Sequence, residues 1–408
     1  MLHRHDPVPE SDMYHVSPNE TVCETLRQAY WMTEDDDLRL LLRIATAKAK
    51  AMSKRLGEYK RRGAVDLWQT SGRFFEKTGK IILAPPIDVL FIAYDDNANT
   101  GFRLWQCAKE LGLHSIMVKG VSHPFGYPVQ APIHPSLANR PISTKPLTIM
   151  APGLEHLINS AAVVHLIAST YPLCHVNWKD KNVVVNHGGS LYRQSPEEHN
   201  EVFNQIVSST VIQCPDLLGL GAKNEHLIYY PVDTNLLFPE YERKGSRLVV
   251  GHFPSNPSVK GTKEILSVLS GLGVDVRTGG RVPWVDNLKR MSECDVIVET
   301  MNVTQDGKPY GEWGNTALEG SALGCVVVTN HVHQKAYKEN YGEHALWIAN
   351  SRDELISSIE RLKSLSDEEL LSHKIAARDW AVEKHGIVPT ANRLWDLVYR
   401  DLLEGADK

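Results

Sequence analysis

The chain has 408 residues, of which 42% are hydrophobic and 23% charged, with a formal net charge of -5. That length exceeds one ordinary core and suits two domains facing a cleft, while the acidic balance argues against a broad, sequence-independent nucleic-acid surface. No apolar run reaches the length of a membrane span, and the first ten residues lack the apolar stretch and small-residue cleavage site of a secretory signal, so a cytoplasmic protein without stable membrane insertion is expected.

In chain order, residues 1–85 read as a helical segment. Asn19 to Tyr30 and Asp36 to Leu56 carry apolar residues at helical spacing, and Leu38, Leu41, Leu42, Ala45, Ala49, Met52 and Leu56 form one face. That face packs on the body, on a second copy of the chain as a homo-oligomer contact, or on a partner. From Ile87 strands and helices alternate: a buried strand Ile87 to Ala93, a helix near Phe102 to Leu111, and strands at His114 to Val118, Ala162 to Ile167, Asn182 to Asn186 and around Ile212. This is the pattern of a parallel α/β sheet. The Pro-rich and charged stretch from Tyr229 to Gly245 precedes a new strand, Arg247 to His252, and separates two domains, 86–242 and 243–384. The second domain continues with helix Thr262 to Ser270, strand Val274 to Thr278, helix Trp284 to Met291, strand Asp295 to Thr300, helix Asn315 to Leu323 and strand Val326 to Thr329. Helices at Ser351 to Ser364, Asp367 to Trp380 and Thr390 to Leu403 follow, the last within a terminal segment 385–408. The expected fold is thus two doubly wound Rossmann-like domains with a helical N-terminal segment. The six cysteines form no C-x-x-C pair and read as buried thiols, and no clustered His and carboxylate spacing implies a metal.

The stretch from Tyr310 to Asn330 is the most informative. Gly311 and Gly314 allow close backbone approach to a ligand, and the N–H groups of Asn315, Thr316 and Ala317 at a helix start can face a diphosphate. Glu319 lies on the pocket side of that helix, where a carboxylate accepts from vicinal ribose hydroxyls. Asp95, Asp96, Asn97, Asn99 and Gly101 follow the first strand; their polar groups either hold an acceptor hydroxyl or cap the next helix. His187 and Gly188 follow another strand in a loop that faces the ligand crevice of an open α/β sheet, where the imidazole either serves the reaction or caps the following turn.

These pieces, in this order, resemble the GT-B glycosyltransferases, and within them retaining glycosyltransferase family 4, over residues 86 to 408. The resemblance rests on Asp95 to Gly101, Tyr230 to Asn235, Pro254 to Gly261 and Gly314 to Glu319. It implies a hexosyl- or pentosyltransferase that takes a nucleoside diphosphate sugar as donor substrate, with no further cofactor, and passes the sugar to a hydroxyl of a saccharide, small molecule, protein or modified nucleic-acid base. It implies a C-terminal helix near Trp395 that returns to the first domain. By position, Lys260 would neutralise the diphosphate, Gly279 to Trp284 with Arg281 and Val282 would form the base loop, and Glu319 would hold the ribose. His187 would approach the sugar or acceptor, with Gly188 beside it. Two departures stand out. The loop arginine is replaced by Ser255 and Asn256, and Gly311 stands where the first of two glutamates belongs, with Glu312 one place later and Asp306 as another carboxylate nearby. Glu312 is therefore either a displaced sugar contact or a solvated charge, Lys260 a phosphate ligand or a surface lysine, and Trp284 a base platform or core. The departures also motivate a catalytically inactive relative that acts as a binding or scaffold protein, and the architecture equally suits a sugar-nucleotide epimerase.

Overall fold

The computed structural model describes residues 86–94, 96–120, 125, 143–144, 147–150, 154–305, 308–310 and 312–405. The helices expected before residue 85, together with Asp95, Asp306 and Gly311, lie outside them.

Two parallel sheets dominate. The first has six strands in the spatial order Ser115–Lys119, Ile87–Ala93, Ala161–Leu166, Asn182–His187, Ser209–Ile212, Glu225–Leu227. Val89 pairs with both Ser115 and Val163, and Val164 with Val183. The second has five, in the order Asp275–Thr278, Val249–His252, Val296–Val298, Val326–Thr329, Trp347–Ile348, with Val250 in register with Val276 and Val296. In both, the second strand in sequence lies outside the first and the rest continue on the other side, which makes a topological switch point at the first strand's carboxyl end. The central strands are runs of Val, Ile and Leu because helices cover both faces: Val89, Leu90, Phe91 and Ile92 are fully buried, as are Val163, Val164, Val327 and Val328. Each such side chain contributes about 1.5–3 kcal/mol of hydrophobic stabilisation relative to exposure.

The chain passes between the sheets after Leu227 and returns at its end. Ile387, Ala391, Leu394, Val398 and Tyr399 join the core of the first sheet, where the hydroxyl of Tyr399 lies 2.7 Å from Nδ1 of His165 and Asn182 Nδ2 donates to the carbonyl of Leu402. A small sheet, Ser143–Thr144, Leu147–Met150 and Thr170–Leu173, flanks the first. The five described cysteines are free, and four of them are buried.

The loop after the first strand is held in unusual backbone geometry: Asp96, Ala98 and Asn99 all have positive φ. For non-glycine residues that conformation stores strain which the surroundings must offset. Asp96 provides one compensation, since its carboxylate accepts from the N–H groups of Gly101 (2.5 Å) and Phe102 (3.1 Å) at the start of the Thr100–Glu110 helix. Gly101 is required by contact: a Cβ there would lie 2.9 Å from Asp96 Oδ1 and Met117 Cε and 3.0 Å from Ile167 Cγ1. Gly101→Ala is expected to cost about 1–3 kcal/mol, measured by urea unfolding; an unchanged midpoint would show that the loop relaxes around the methyl group.

Candidate active site

Between the sheets lies a cleft of about 300 Å³. One wall comes from the first domain, with Ala98, Gly189, Ser190, Arg193 and Tyr230; the other comes from Lys260, Arg281, Val282, Trp284, Arg290, Glu299, Tyr310 and the start of the Asn315–Ala322 helix. Gly314, Asn315, Thr316 and Glu319 all line it. The helix macrodipole places positive potential at that end, and its first N–H groups have no partner within the helix.

Lys260 ends the short helix Pro257–Lys260, followed by Gly261 at φ 71°. Its ammonium lies 3.0 Å from Glu299 Oε1 and 6.0 Å from the centre of the Tyr310 ring. Burial disfavours that charge, but Glu299 and Tyr310 more than offset it, so the pKa of Lys260 is raised. The same Glu299 oxygen accepts from the N–H of Gly314 at 2.8 Å. Gly314 suits this close approach, since a Cβ would meet that oxygen at 3.2 Å. Arg281 donates through Nε to the carbonyl of Ser255, and Arg290 lies over Phe253 at 4.5 Å while donating to the carbonyl of Gly280. Neither arginine is ion-paired with a carboxylate among the described residues, which leaves the second domain's wall cationic.

Glu319 is tied across the cleft. Arg103 of the Thr100–Glu110 helix donates to its Oε1 at 2.5 Å and Trp284 Nε1 donates to the same oxygen at 2.8 Å, with both charged side chains buried. Arg103 also donates to Asn315 Oδ1 and the carbonyl of Pro231, and Asn315 Nδ2 donates to the carbonyl of Ala98. The strained loop and the glycine-led helix therefore meet face to face. Trp284 packs in the core at 8% exposure and also lines the cleft.

Other residues singled out in the sequence sit elsewhere. His187 is fully buried, stacked on Tyr192 at 4.2 Å with Nδ1 2.8 Å from Ser169 Oγ, and does not line the cleft. Burial lowers its pKa to about 3, so it stays neutral in a packed environment. Gly188 abuts Gln213, where a Cβ would meet Oε1 at 2.6 Å; the next two residues, Gly189 and Ser190, reach the cleft instead. Asp96 and Asn99 are buried at the helix entry, Gly101 packs beneath them, and none of the three lines the cleft. Asn256 is an exposed N-cap outside it.

Glu312 is 4% exposed, which removes the reading as a solvated charge. Its Oε2 lies 2.8 Å from His331 Nδ1 and accepts from the Tyr229 hydroxyl at 3.3 Å, while Oε1 accepts from the N–H of His333 at 2.9 Å. Burial raises its pKa to about 8, against the His333 N–H, and lowers that of His331 to about 4. Near neutral pH the pair is an uncharged carboxyl bonded to an uncharged imidazole. A folded-state pKa above the ordinary 4.5 means stability that is fully present below 4.5 and lost as pH rises through about 8. Glu312→Gln should therefore hold its unfolding free energy from about pH 5 to 8, read by urea unfolding, while the wild type loses stability relative to it, by about 1–3 kcal/mol for a buried charge left incompletely paired. Parallel curves would refute a neutral Glu312.

Sequence reading missed Arg193, Arg290, Glu299 and Tyr310 as cleft residues, and Arg103 as the partner of Glu319. Arg193 comes from the short helix Gly189–Gln194; it donates through Nε to Asp216 at 2.5 Å and lies 4.9 Å from the Tyr310 ring centre. Only Glu299 carried a signal: a carboxylate ending a run of buried β-branched residues lies at the ligand edge of a parallel sheet. Among the described residues no group of three or more His, Cys, Asp or Glu side chains gathers to hold a metal, and no helix is long and apolar enough to cross a membrane.

No protein-family model matches the chain, and comparison with curated proteins finds no match. Solved structures do resemble it. Anabaena HepE in complex with UDP-glucose is 13% identical with a TM-score of 0.53, over 76% of this chain and 98% of that one. Sucrose-phosphate synthase from Thermosynechococcus elongatus is 11% identical with a TM-score of 0.50, over 78% and 100%. AviGT4, a glycosyltransferase involved in avilamycin A biosynthesis, is 14% identical with a TM-score of 0.50, over 78% and 99%. The chain has the GT-B fold these proteins share.

Proposed function

We propose that the protein is a glycosyltransferase that moves a sugar from a nucleoside diphosphate sugar to an acceptor hydroxyl with retention of configuration, as the likeness to family 4 implies. The observation that carries this reading is the convergence, on one cleft between two sheets, of Lys260, Arg281, Arg290 and the glycine-led N-terminus of the Asn315–Ala322 helix. That set suits a diphosphate. HepE, whose structure holds UDP-glucose, supports a donor of the same class for this chain.

In the proposed reaction the bond between the anomeric carbon and the diphosphate oxygen breaks, and negative charge grows on the leaving group. Lys260 and the helix N-terminus stabilise that charge. The acceptor oxygen bonds to the same face of the anomeric carbon, and its proton passes to an oxygen of the departing diphosphate. No side-chain nucleophile is invoked. The Arg103 and Asn315 bonds across the cleft hold the domains together around the donor and limit water.

The test is a thermal-shift panel of UDP, GDP, ADP and dTDP with their glucose conjugates. A shift for one nucleotide that Lys260→Ala abolishes supports the donor site, and no shift with any would remove the reading. The tie between Glu319 and Arg103, with the loss of a glutamate at Gly311, favours one second reading, a binding protein that keeps the fold. It would bind a nucleotide sugar yet neither transfer nor hydrolyse it.

A further inference from the structure

Glu299 has a chemical surplus that its described partners do not use. It ends the strand Val296–Val298, and its side chain is only 2% exposed although it lines the cleft. One oxygen, Oε1, takes both of its described bonds, from Lys260 Nζ at 3.0 Å and from the N–H of Gly314 at 2.8 Å. The other oxygen, Oε2, is buried with no hydrogen-bond partner. Buried carboxylate oxygens are rarely left so, because the lost hydration is not replaced. An acceptor in this position calls for a donor from a ligand.

Where that carboxylate sits decides which ligand group it meets. Lys260 and the first turn of the Asn315–Ala322 helix are the phosphate-facing groups of the proposed donor site, and Glu299 touches both. Two groups beside the diphosphate bear hydroxyl donors, the ribose and the sugar attached at the other end; with Glu319 at the ribose end of the proposed site, Glu299 is left for the sugar. The alternative carboxylate, Glu312, has both oxygens bonded to Tyr229, His331 and His333. Glu312 also lines the cleft, but each of its oxygens already has a protein partner, whereas Glu299 Oε2 has none.

We infer that Glu299 is the carboxylate that reads the donor sugar, accepting a hydroxyl hydrogen bond at Oε2 while Oε1 fixes Lys260 and the Gly314 N–H in place. This rests on the transferase reading and deepens it. It assigns to a residue on the neighbouring strand the sugar contact for which the Gly311 position carries no carboxylate. The ligand class follows as a neutral sugar with a free hydroxyl close to the phosphate.

The rival role for Glu299 is a competitor that occupies the phosphate site until a nucleotide displaces it, and affinities separate the two. Calorimetry would compare UDP, GDP, ADP and dTDP with their glucose conjugates on the wild type and on Glu299→Gln, which keeps the shape and an acceptor for Gly314. With a sugar contact, the preference of the wild type for the glucose conjugate over the equally charged deoxy conjugate lacking the contacted hydroxyl falls about tenfold in the variant, as expected for one hydrogen bond to a charged acceptor. With a competitor, these two ligands tighten together and the preference is unchanged, which overturns the assignment. Deoxy-sugar conjugates give a check on the wild type alone, should the variant not fold: one missing hydroxyl must weaken binding by the same factor, and equal binding of every deoxy conjugate overturns the assignment. Binding of none of these ligands by the wild type would remove the transferase reading itself and the role of Glu299 with it.

Discussion

Lys260→Ala is expected to lower the kcat/KM of sugar transfer by roughly 100- to 1000-fold, the scale of removing one preorganised group from developing negative charge. The side chain is 17% exposed and held by Glu299 at 3.0 Å, so the ammonium is aimed before any ligand arrives and little reorganisation is needed as the leaving group gains charge. The loss should fall on diphosphate-bearing ligands and spare a bare nucleoside. Steady-state transfer with the conjugate identified by thermal shift, together with calorimetry on diphosphate and nucleoside, checks both parts. A variant within threefold of wild type, or one that loses nucleoside and diphosphate equally, would remove Lys260 from the phosphate site.

Arg103→Ala is expected to cost about 3–5 kcal/mol of stability, because it strips the partner from a buried carboxylate. Side-chain exposure is 3% for Arg103 and 5% for Glu319, so little water is at hand to solvate the charge left behind. Trp284 Nε1 alone would still donate to that carboxylate. The double variant Arg103→Met with Glu319→Gln should recover much of the loss, since no net charge is then buried. Urea unfolding of the two proteins reads this directly. A single variant that loses less than about 1 kcal/mol would mean that the pair behaves as a screened surface bridge. The same substitution bears on function, because Arg103 reaches Asn315, Glu319 and the carbonyl of Pro231 from the first sheet. Its loss should raise KM for the donor as well as lower stability.

Much of the fold was legible because hydrophobic period and turn chemistry are local. The strands Ile87–Ala93 and Val326–Thr329 lie where apolar runs bounded by polar or glycine residues put them, and the helices from Thr262, Trp284 and Asn315 begin at the expected residues. The helix expected from Asp367 to Trp380 runs on to His385, since a Trp facing the core does not stop a helix and only Gly386 does. Short elements were not legible. The helices Glu155–Ser160 and Gly189–Gln194 and the short strands Ser143–Thr144 and Leu147–Met150 carry too few residues for a period to show, and tertiary contacts hold them in place.

The chain alone determined two parallel sheets, a cleft between them, a lysine before a glycine and a glycine-led helix facing that cleft. These follow from patterns within a few tens of residues, in which side chain and backbone preference act on near neighbours. Tertiary structure decided which carboxylates face a ligand. Glu312, Glu319 and Glu299 all line the cleft, but Glu312 is bonded to Tyr229 and His331, Glu319 is paired with Arg103 from 216 positions away, and Glu299 is brought beside Lys260 from 39 positions away. His187 went into an aromatic stack instead of the cleft. Burial and charge pairing depend on which residues the fold brings together, and no spacing along the chain encodes that.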